Sequence, residues 1–367
     1  MAIINSIFQK HAHQYFESLD KPIPIHLRKV IKAICLCRTG ELGLCHYQCP
    51  DCEHSHYGKR SCGNRHCPQC QGQKAAHWLQ RQLKTRLPCN YFMLTFTLPD
   101  KLRSFVEKNQ QLAYSFMFDA AAYAIKKLSK DKRHIGCEST GFCAVLHTWG
   151  RQLQYHPHLH VIIPAGGVNQ EGTQWLPSRD DFFLPVKALS KIFRGKFKEL
   201  VRDLDSYSTI EAKQWNRGWN VHCQLIGNGE EATKYLARYV FRVGISNHRI
   251  QAVSDTHVTI SYKKVGSNRK RSLKLTIHEF IRRFLQHVLP SGFMKIRHYG
   301  LMSPNSKIPL DHLRELVKDA NNTLDDCDYI EINESKKLLC PHCQTQLVYQ
   351  SSLILASPNF ARIVGVP

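Results

Sequence analysis

Acidic side chains are scarce in this sequence. Of 367 residues, 29 are Asp or Glu and 51 are Lys or Arg, a formal net charge of +22. A field of that sign gathers polyanions, so nucleic acid is the first ligand class to consider. Long apolar runs are missing too. Stretches such as Val161 to Pro164 and Leu353 to Ala356 fall far short of the ~20 residues a membrane helix needs. The first ten residues show no charged-then-apolar export pattern. The expected location is therefore a reducing cytoplasm, where disulfides rarely persist. That leaves metal binding as the better use for 15 cysteines. No internal repeat is present, which excludes a solenoid, and no long low-complexity segment. A hydrophobic share of 43% is enough to bury at least one core.

The length predicts two or three domains at ~100–200 residues each. Residues 1–34 carry helical spacing at Ile3, Ile7, His11 and Tyr15, broken by Pro22 and Pro24. A basic helix follows over Gln71 to Arg86, then a buried strand over Tyr91 to Leu98 and helical periodicity from Leu102 to Leu128. Phe142 to Trp149, His158 to Pro164 and Trp219 to Ile226 read as further strands, with helices over Val186 to Leu204 and Glu230 to Val240. His257 to Tyr262 and Arg271 to Thr276 form a hairpin with a basic tip, before a helix over Ile277 to Leu289. The pattern predicts an α+β fold, an antiparallel sheet with flanking helices, preceded by a helical and zinc-binding module. The expected segments are 1–86 for that module, 87–250 for a sheet domain, and 251–367 for the basic hairpin, a helix and a tail carrying Cys340-Pro-His-Cys343.

Cysteines concentrate where the module is expected. Cys45, Cys49 and Cys52 are followed by Cys62, His66, Cys67 and Cys70. Zinc takes four tetrahedral N or S ligands, and a Cys-x-x-Cys turn presents two thiolates to one ion. These seven residues are candidate zinc ligands, more than one site needs, so a second ion is plausible. A closed thiolate shell is structural and leaves no position for substrate. The lone Cys340-x-x-Cys343 cannot close a site unless it recruits distant cysteine or histidine.

Residues 155–163 read Tyr-His-Pro-His-Leu-His-Val-Ile-Ile. On a strand, residues i and i+2 face the same side, so His158 and His160 point together with backbones ~7 Å apart and can chelate one divalent ion. If the two neighbouring strands pair, His147 reaches the same ion. His156 is the rival third ligand, provided Pro157 does not break the strand. Three histidines leave coordination positions open for substrate oxygens. In the helix over Glu230 to Val240, Tyr235 and Tyr239 lie four residues apart and share a face, with Lys234 and Arg238 near. Lys263, Lys264, Arg269, Lys270 and Arg271 at the hairpin tip are further candidate DNA contacts.

The segments HPHLHV at 156–161, YLARY at 235–239 and SCGNRHCPQC at 61–70 resemble the rolling-circle HUH transposases of bacterial insertion sequences. The closest group is the two-tyrosine, insertion-sequence ninety-one type. The resemblance runs from Cys37-Arg-Thr-Gly-Glu-Leu-Gly43 through Phe280-Ile-Arg-Arg-Phe284 to Gly292-Phe-Met-Lys-Ile-Arg-His-Tyr-Gly300, most of the chain. It implies an antiparallel HUH nuclease sheet, His158 and His160 as the metal pair, and Tyr235 and Tyr239 as two nucleophiles; His147 fits the subgroup with an upstream histidine. The implied activity is cleavage and rejoining of single-stranded DNA, at transposon ends and target, through 5′-phosphotyrosine. Mg²⁺ or Mn²⁺ would serve at the histidines and structural Zn²⁺ at the cysteines, with no small-molecule cofactor and no membrane, at the bacterial nucleoid. In the family a histidine precedes the first Cys-x-x-Cys by four residues. Here that position is Cys45, with His46 beside it, and cysteine is equally a zinc ligand.

A zinc-finger DNA-binding regulator without catalysis explains the cysteines and the charge but leaves His158, His160 and both tyrosines idle. A metal-dependent barrel hydrolase needs repeating strand–helix units that are absent. A transposase built on three acidic residues has too few carboxylates to draw on.

Overall fold

The computed structural model describes residues 3–240, 244–264, 266–267, 269–321 and 338–354. Two helices, α1 (Ile3–Glu17) and α2 (Ile25–Leu36), open the chain. The proline pair separates them, since the ring removes an N–H and restricts the residue before it. Strands β1 (Leu44–Gln48) and β2 (Ser55–Lys59) pair antiparallel, and α3 (Gln71–Lys84) follows. Next come β3 (Asn90–Thr97), α4 (Arg103–Lys108), α5 (Gln110–Ser129), β4 (Gly141–Trp149) and β5 (Tyr155–Pro164). The single helical stretch expected over Leu102 to Leu128 is divided at Asn109, which leaves the helical backbone (φ −121°, ψ 36°). A small ribbon, β6 (Gly166–Val168) with β7 (Trp175–Pro177), precedes α6 (Val186–Val201), α7 (Lys213–Asn216), β8 (Asn220–Asn228) and α8 (Gly229–Val240). The chain continues through β9 (Ile250–Val253), β10 (His257–Lys263), β11 (Lys270–Thr276), α9 (Ile277–Leu285), β12 (Ile296–Gly300), α10 (Leu310–Asn321) and β13 (Val348–Leu353).

The fold is α+β. Its centre is a five-stranded sheet in the order β12-β4-β5-β3-β8, antiparallel throughout. Alternation along the strands gives each face its own neighbours. Phe92, Leu94, Phe96, Phe142, Ala144, Leu146, Leu159, Val161 and Ile163 pack against α5 and α6. On the other face Tyr91, Cys143, Val145 and Ile162 pack beneath Trp78 of α3 and Ala237 and Val240 of α8. The edge strand β12 escapes the sequence reading. It has five residues of mixed character, and its place is defined by its pairing with β4, from Ile296↔Val145 to Gly300↔Gly141.

A second core joins the first 70 residues to residues 245–288. Ile4, Phe8, Ile31 and Ile34 meet Val258, Ile260 and Leu275 of the hairpin and Phe280 and Phe284 of α9. Phe8 and Phe284 lie edge to face at 5.1 Å between ring centroids. Arg65 adds a polar tie by donating to the carbonyls of Pro290 (2.6 Å) and Phe293. No described helix is long and apolar enough to cross a membrane.

Phe193 of α6 is fully buried between Phe96 (5.0 Å) and Trp219 (5.4 Å). Phe193→Ala should cost about 3–5 kcal/mol, from lost transfer energy plus the cavity left behind. Urea denaturation checks this; a loss under about 1 kcal/mol would show that the α6 layer does not hold the sheet.

Candidate active site and metal centres

The β4–β5 register sets His147 directly opposite His158, and Val145 opposite His160. All three histidines therefore stand on the sheet face that carries α8. Each offers a ring nitrogen, and those atoms lie within 4.8 Å of one another. Ring centroids are 4.6 Å apart for His147 and His160, 4.9 Å for His158 and His160, and 5.3 Å for His147 and His158. Neighbours orient two of the rings. His158 Nδ1 donates to the His156 carbonyl at 2.7 Å, and His160 Nδ1 lies 3.3 Å from the Thr95 hydroxyl. The Nε2 lone pair of His158 is thus left for a ligand, the usual arrangement of a metal-bound imidazole.

Desolvation at the cleft floor pushes the His158 pKa down to about 3 and that of His160 to about 4. Both rings are neutral at pH 7, as ligation requires. A compact set of neutral nitrogens beside an open cleft fits a divalent cation. His156 lines the same cleft, with its ring centroid 5.2 Å from that of His158, but its Nδ1 meets Arg103 Nη2 at 2.8 Å and it is not one of the three converging histidines.

A cleft of about 720 Å³ opens over the trio, and Tyr235 lines it together with Thr95, Arg151, Arg249, Tyr262, Lys263 and Lys264. Tyr235 arrives there because of the turn Gly227-Asn228-Gly229. Gly227 has φ +80°, and a Cβ on it would strike the Glu231 carboxylate at 1.9 Å; a Cβ on Gly229 would press on the Tyr91 ring at 2.9 Å. Asn228 caps the helix by accepting from the Glu230 and Glu231 amides, both at 3.1 Å. The chain thus passes from β8 into α8 within three residues and lays the helix across the sheet. Lys234 pairs with Glu230, which also meets Arg86 at 3.2 Å. Arg238 and Tyr239 belong to α8, but their side chains lie outside the described residues. Of the hairpin cations, Lys263 and Lys264 reach the cleft, whereas Arg269, Lys270 and Arg271 are exposed beyond it. Arg151 comes from a turn and Arg249 from the end of a short 3-10 helix (Asn247–Arg249), and no periodicity in the sequence marks them.

The cysteines assemble into two sets of four. Cys62, Cys67 and Cys70 converge with Cys37, all four sulfurs within 4.8 Å of one another. Cys37–Cys70 is 3.5 Å and Cys62–Cys70 is 3.6 Å. Asn5, fully buried in α1, donates to Cys67 Sγ at 3.8 Å and to the Ile34 carbonyl at 2.8 Å, binding the first helix to this centre. Cys49 and Cys52 converge with Cys340 and Cys343. The donor sets suit structural zinc.

Cys45 and His66 join neither set. Strand β1 carries Cys45 ~13 Å from Cys49, at ~3.3 Å per residue. His66 turns away from the thiols: its Nε2 accepts from the Leu289 amide at 3.4 Å, and burial pushes its pKa down to about 3. Cys37 had no spacing signal. It ends α2, 25 residues before Cys62, outside any Cys-x-x-Cys pair.

Comparison with known proteins bears on both regions. The Y2 transposase family model matches residues 141–307, and a transposase zinc-binding domain model matches residues 7–98. The chain is 36% identical over 319 residues to y4qJ of Sinorhizobium fredii, a protein named as a transposase, covering 82% of this chain and 80% of that one. It is 26% identical over 288 residues to the transposase for insertion sequence element IS801 of Pseudomonas savastanoi pv. phaseolicola, covering 73% of this chain and 68% of that one. No solved structure matches it.

Two outcomes follow from the histidines. His147→Ala should weaken Mn²⁺ binding roughly 10–100-fold in calorimetric titration; a loss confined to His156→Ala would move the third ligand to His156. The second concerns acid. The unfolded chain binds protons at these histidines near pH 6.5, but the folded chain does so only near pH 3–4. Between those values the unfolded state holds more protons, so stability is fully present above about pH 6.5 and falls on acidification. His66 and His287, pushed down to about 3 and about 4, act in the same sense. Replacing His158 and His160 by Asn should spare up to about 5 kcal/mol of the loss between pH 7 and pH 4.5, roughly 2.5 for each ring. Denaturant midpoints across that range measure it, and identical slopes in variant and parent would refute it.

Proposed function

Because this chain belongs to the insertion-sequence ninety-one family of transposases with an N-terminal zinc-binding domain, we propose that it cleaves and rejoins single-stranded DNA through 5′-phosphotyrosine intermediates. The observation that carries this reading is the shared cleft: Tyr235 lines the same cavity as His147, His158 and His160. A nucleophile, a cation-binding trio and a basic rim then surround one volume, which is what in-line attack on a phosphodiester requires.

His147, His158 and His160 would hold Mg²⁺ or Mn²⁺, which when bound would supply Lewis acidity at the scissile phosphate and offset its negative charge. The Tyr235 phenolate oxygen attacks phosphorus, the bond from phosphorus to the 3′ oxygen breaks, and that oxygen leaves with the electron pair and takes a proton from solvent. The protein–DNA phosphodiester that forms keeps the bond energy for rejoining by a 3′ hydroxyl. An unperturbed tyrosine ionises only near pH ~10. The positive groups of Arg151, Lys263 and Lys264 favour the anionic nucleophile and hold the flanking phosphates. Tyr239 follows just over one helical turn later, about 6 Å along α8, and serves the second cleavage while the first 5′ end is still attached. A rolling-circle exchange needs two such steps. The substrate is the transposon end or the target strand, at the nucleoid in the bacterial cytoplasm.

Phe variants test this, since they keep the ring and remove only the hydroxyl. With Mg²⁺ and a labelled single strand, Tyr235→Phe and Tyr239→Phe should each still form a covalent adduct, and each should fail in complete transposition. The double variant should form no adduct. A single variant that transposes normally rejects the two-nucleophile mechanism. A parent protein that binds DNA yet forms no adduct on any strand of a randomised pool identifies a regulator instead.

A further inference from the structure

The turn at Cys340-Pro341-His342-Cys343 repeats, bond for bond, the turn at Cys49-Pro50-Asp51-Cys52. In the first, the Cys49 amide donates to the His54 carbonyl (2.9 Å) and the Glu53 amide to the Cys49 carbonyl (3.1 Å). In the second, the Cys340 amide donates to the Thr345 carbonyl (2.8 Å) and the Gln344 amide to the Cys340 carbonyl (3.0 Å). The residue after the second cysteine is left-handed in both: Glu53 at φ 56° and Gln344 at φ 62°. Side chains other than glycine rarely adopt that conformation, so its occurrence twice marks a shared geometric demand. Flanking residues pair in the same way, Gln48 with Ser55 and Leu339 with Gln346.

The two turns face each other. Sulfur separations are 3.3 Å for Cys49–Cys343, 3.5 Å for Cys52–Cys343 and 3.6 Å for Cys52–Cys340. A disulfide would need ~2.05 Å. The edge of a zinc tetrathiolate is ~3.8 Å, given a Zn–S bond of ~2.3 Å. Each turn alone supplies two ligands; only the pair closes a shell. Among the described residues, the other hydrogen-bonded ties of the tail to the module are a bond from the Thr345 hydroxyl to the Asp51 carboxylate and an exposed strand pairing. Every residue of β13 is exposed, although the strand pairs along β1 from Leu44↔Leu353 to Gln48↔Val348. The local apolar cluster is confined to Cys49, Cys340, Leu347 and the flanking Tyr47. So small a core needs a staple.

We propose that Cys49, Cys52, Cys340 and Cys343 bind one zinc ion, distinct from the ion held by Cys37, Cys62, Cys67 and Cys70, and that this second ion clasps residues 338–354 to the N-terminal module. It is structural, since four thiolates leave no position for substrate. The zinc-binding domain found by comparison covers residues 7–98 and so contains only half of this shell. The ion also closes a loop of nearly 300 residues that holds the whole five-stranded sheet and α8.

The test uses the full chain and does not depend on DNA cleavage. Mass spectrometric metal analysis should find two zinc ions per chain in the parent and one in Cys340→Ser/Cys343→Ser. Cobalt substitution should give two tetrathiolate spectra in the parent and half that intensity in the variant. Backbone amides of β13 should exchange with deuterium at least tenfold faster in the variant. One zinc in the parent, two retained in the variant, or unchanged exchange at β13 would each overturn the proposal.

Discussion

Antiparallel pairing of β4 with β5 fixes what the cleft contains. Side chains alternate with a period of two, so a slip of one residue would exchange the faces of either strand. Such a slip would drive His158 and His160 into the layer that holds Leu159 and Val161 against α5 and α6. It would cost the burial of several large apolar side chains at once. The apolar face therefore enforces the position of the polar one. Preorganisation of the histidines is a by-product of packing on the opposite side of the sheet.

The N-terminal module acts on the same cleft from a distance. Its helices α1 and α2 share a core with Val258, Ile260 and Leu275, the inward residues of the basic hairpin. The base of the hairpin is fixed by that core, and its tip carries Lys263 and Lys264 to the rim of the cavity. Asn5 links the same helices to Cys67. The first cysteine set is thereby tied to the core that fixes where positive charge stands at the cleft, although no cysteine is among the described residues lining it.

What the sequence made legible was what is local and periodic. The inner strands β3, β4 and β5 read clearly because buried strands carry long apolar runs, and the His147–His158–His160 grouping needed only one hairpin of short span. The turn Gly227-Asn228-Gly229 announced the start of α8. The thiol groups were harder, because zinc ligation joins residues by space and not by spacing. The run Cys45, Cys49, Cys52 suggested neighbours, yet the partners of Cys49 and Cys52 come from the far end of the chain and Cys45 is carried off by its strand. His66 looked like a ligand because it adjoins Cys67, but adjacent side chains point apart. Arg151 lies in a turn and Arg249 in a single 3-10 turn, where position depends on tertiary packing.

One pairing in the hairpin sets lysine against lysine: Lys263 stands directly across from Lys270 at the turn end of β10 and β11. Like charges in that relation destabilise a ribbon, and the repulsion adds to a chain already at +22. A phosphate backbone laid along the tip removes it and displaces condensed counterions from the nucleic acid. The hairpin is thus under electrostatic stress that a polyanion relieves. At molar salt, where the Debye length shrinks to a few ångströms, the repulsion and the attraction for phosphate are both screened. Ionic strength thus sets both the strain within this ribbon and the pull of its rim on a polyanion.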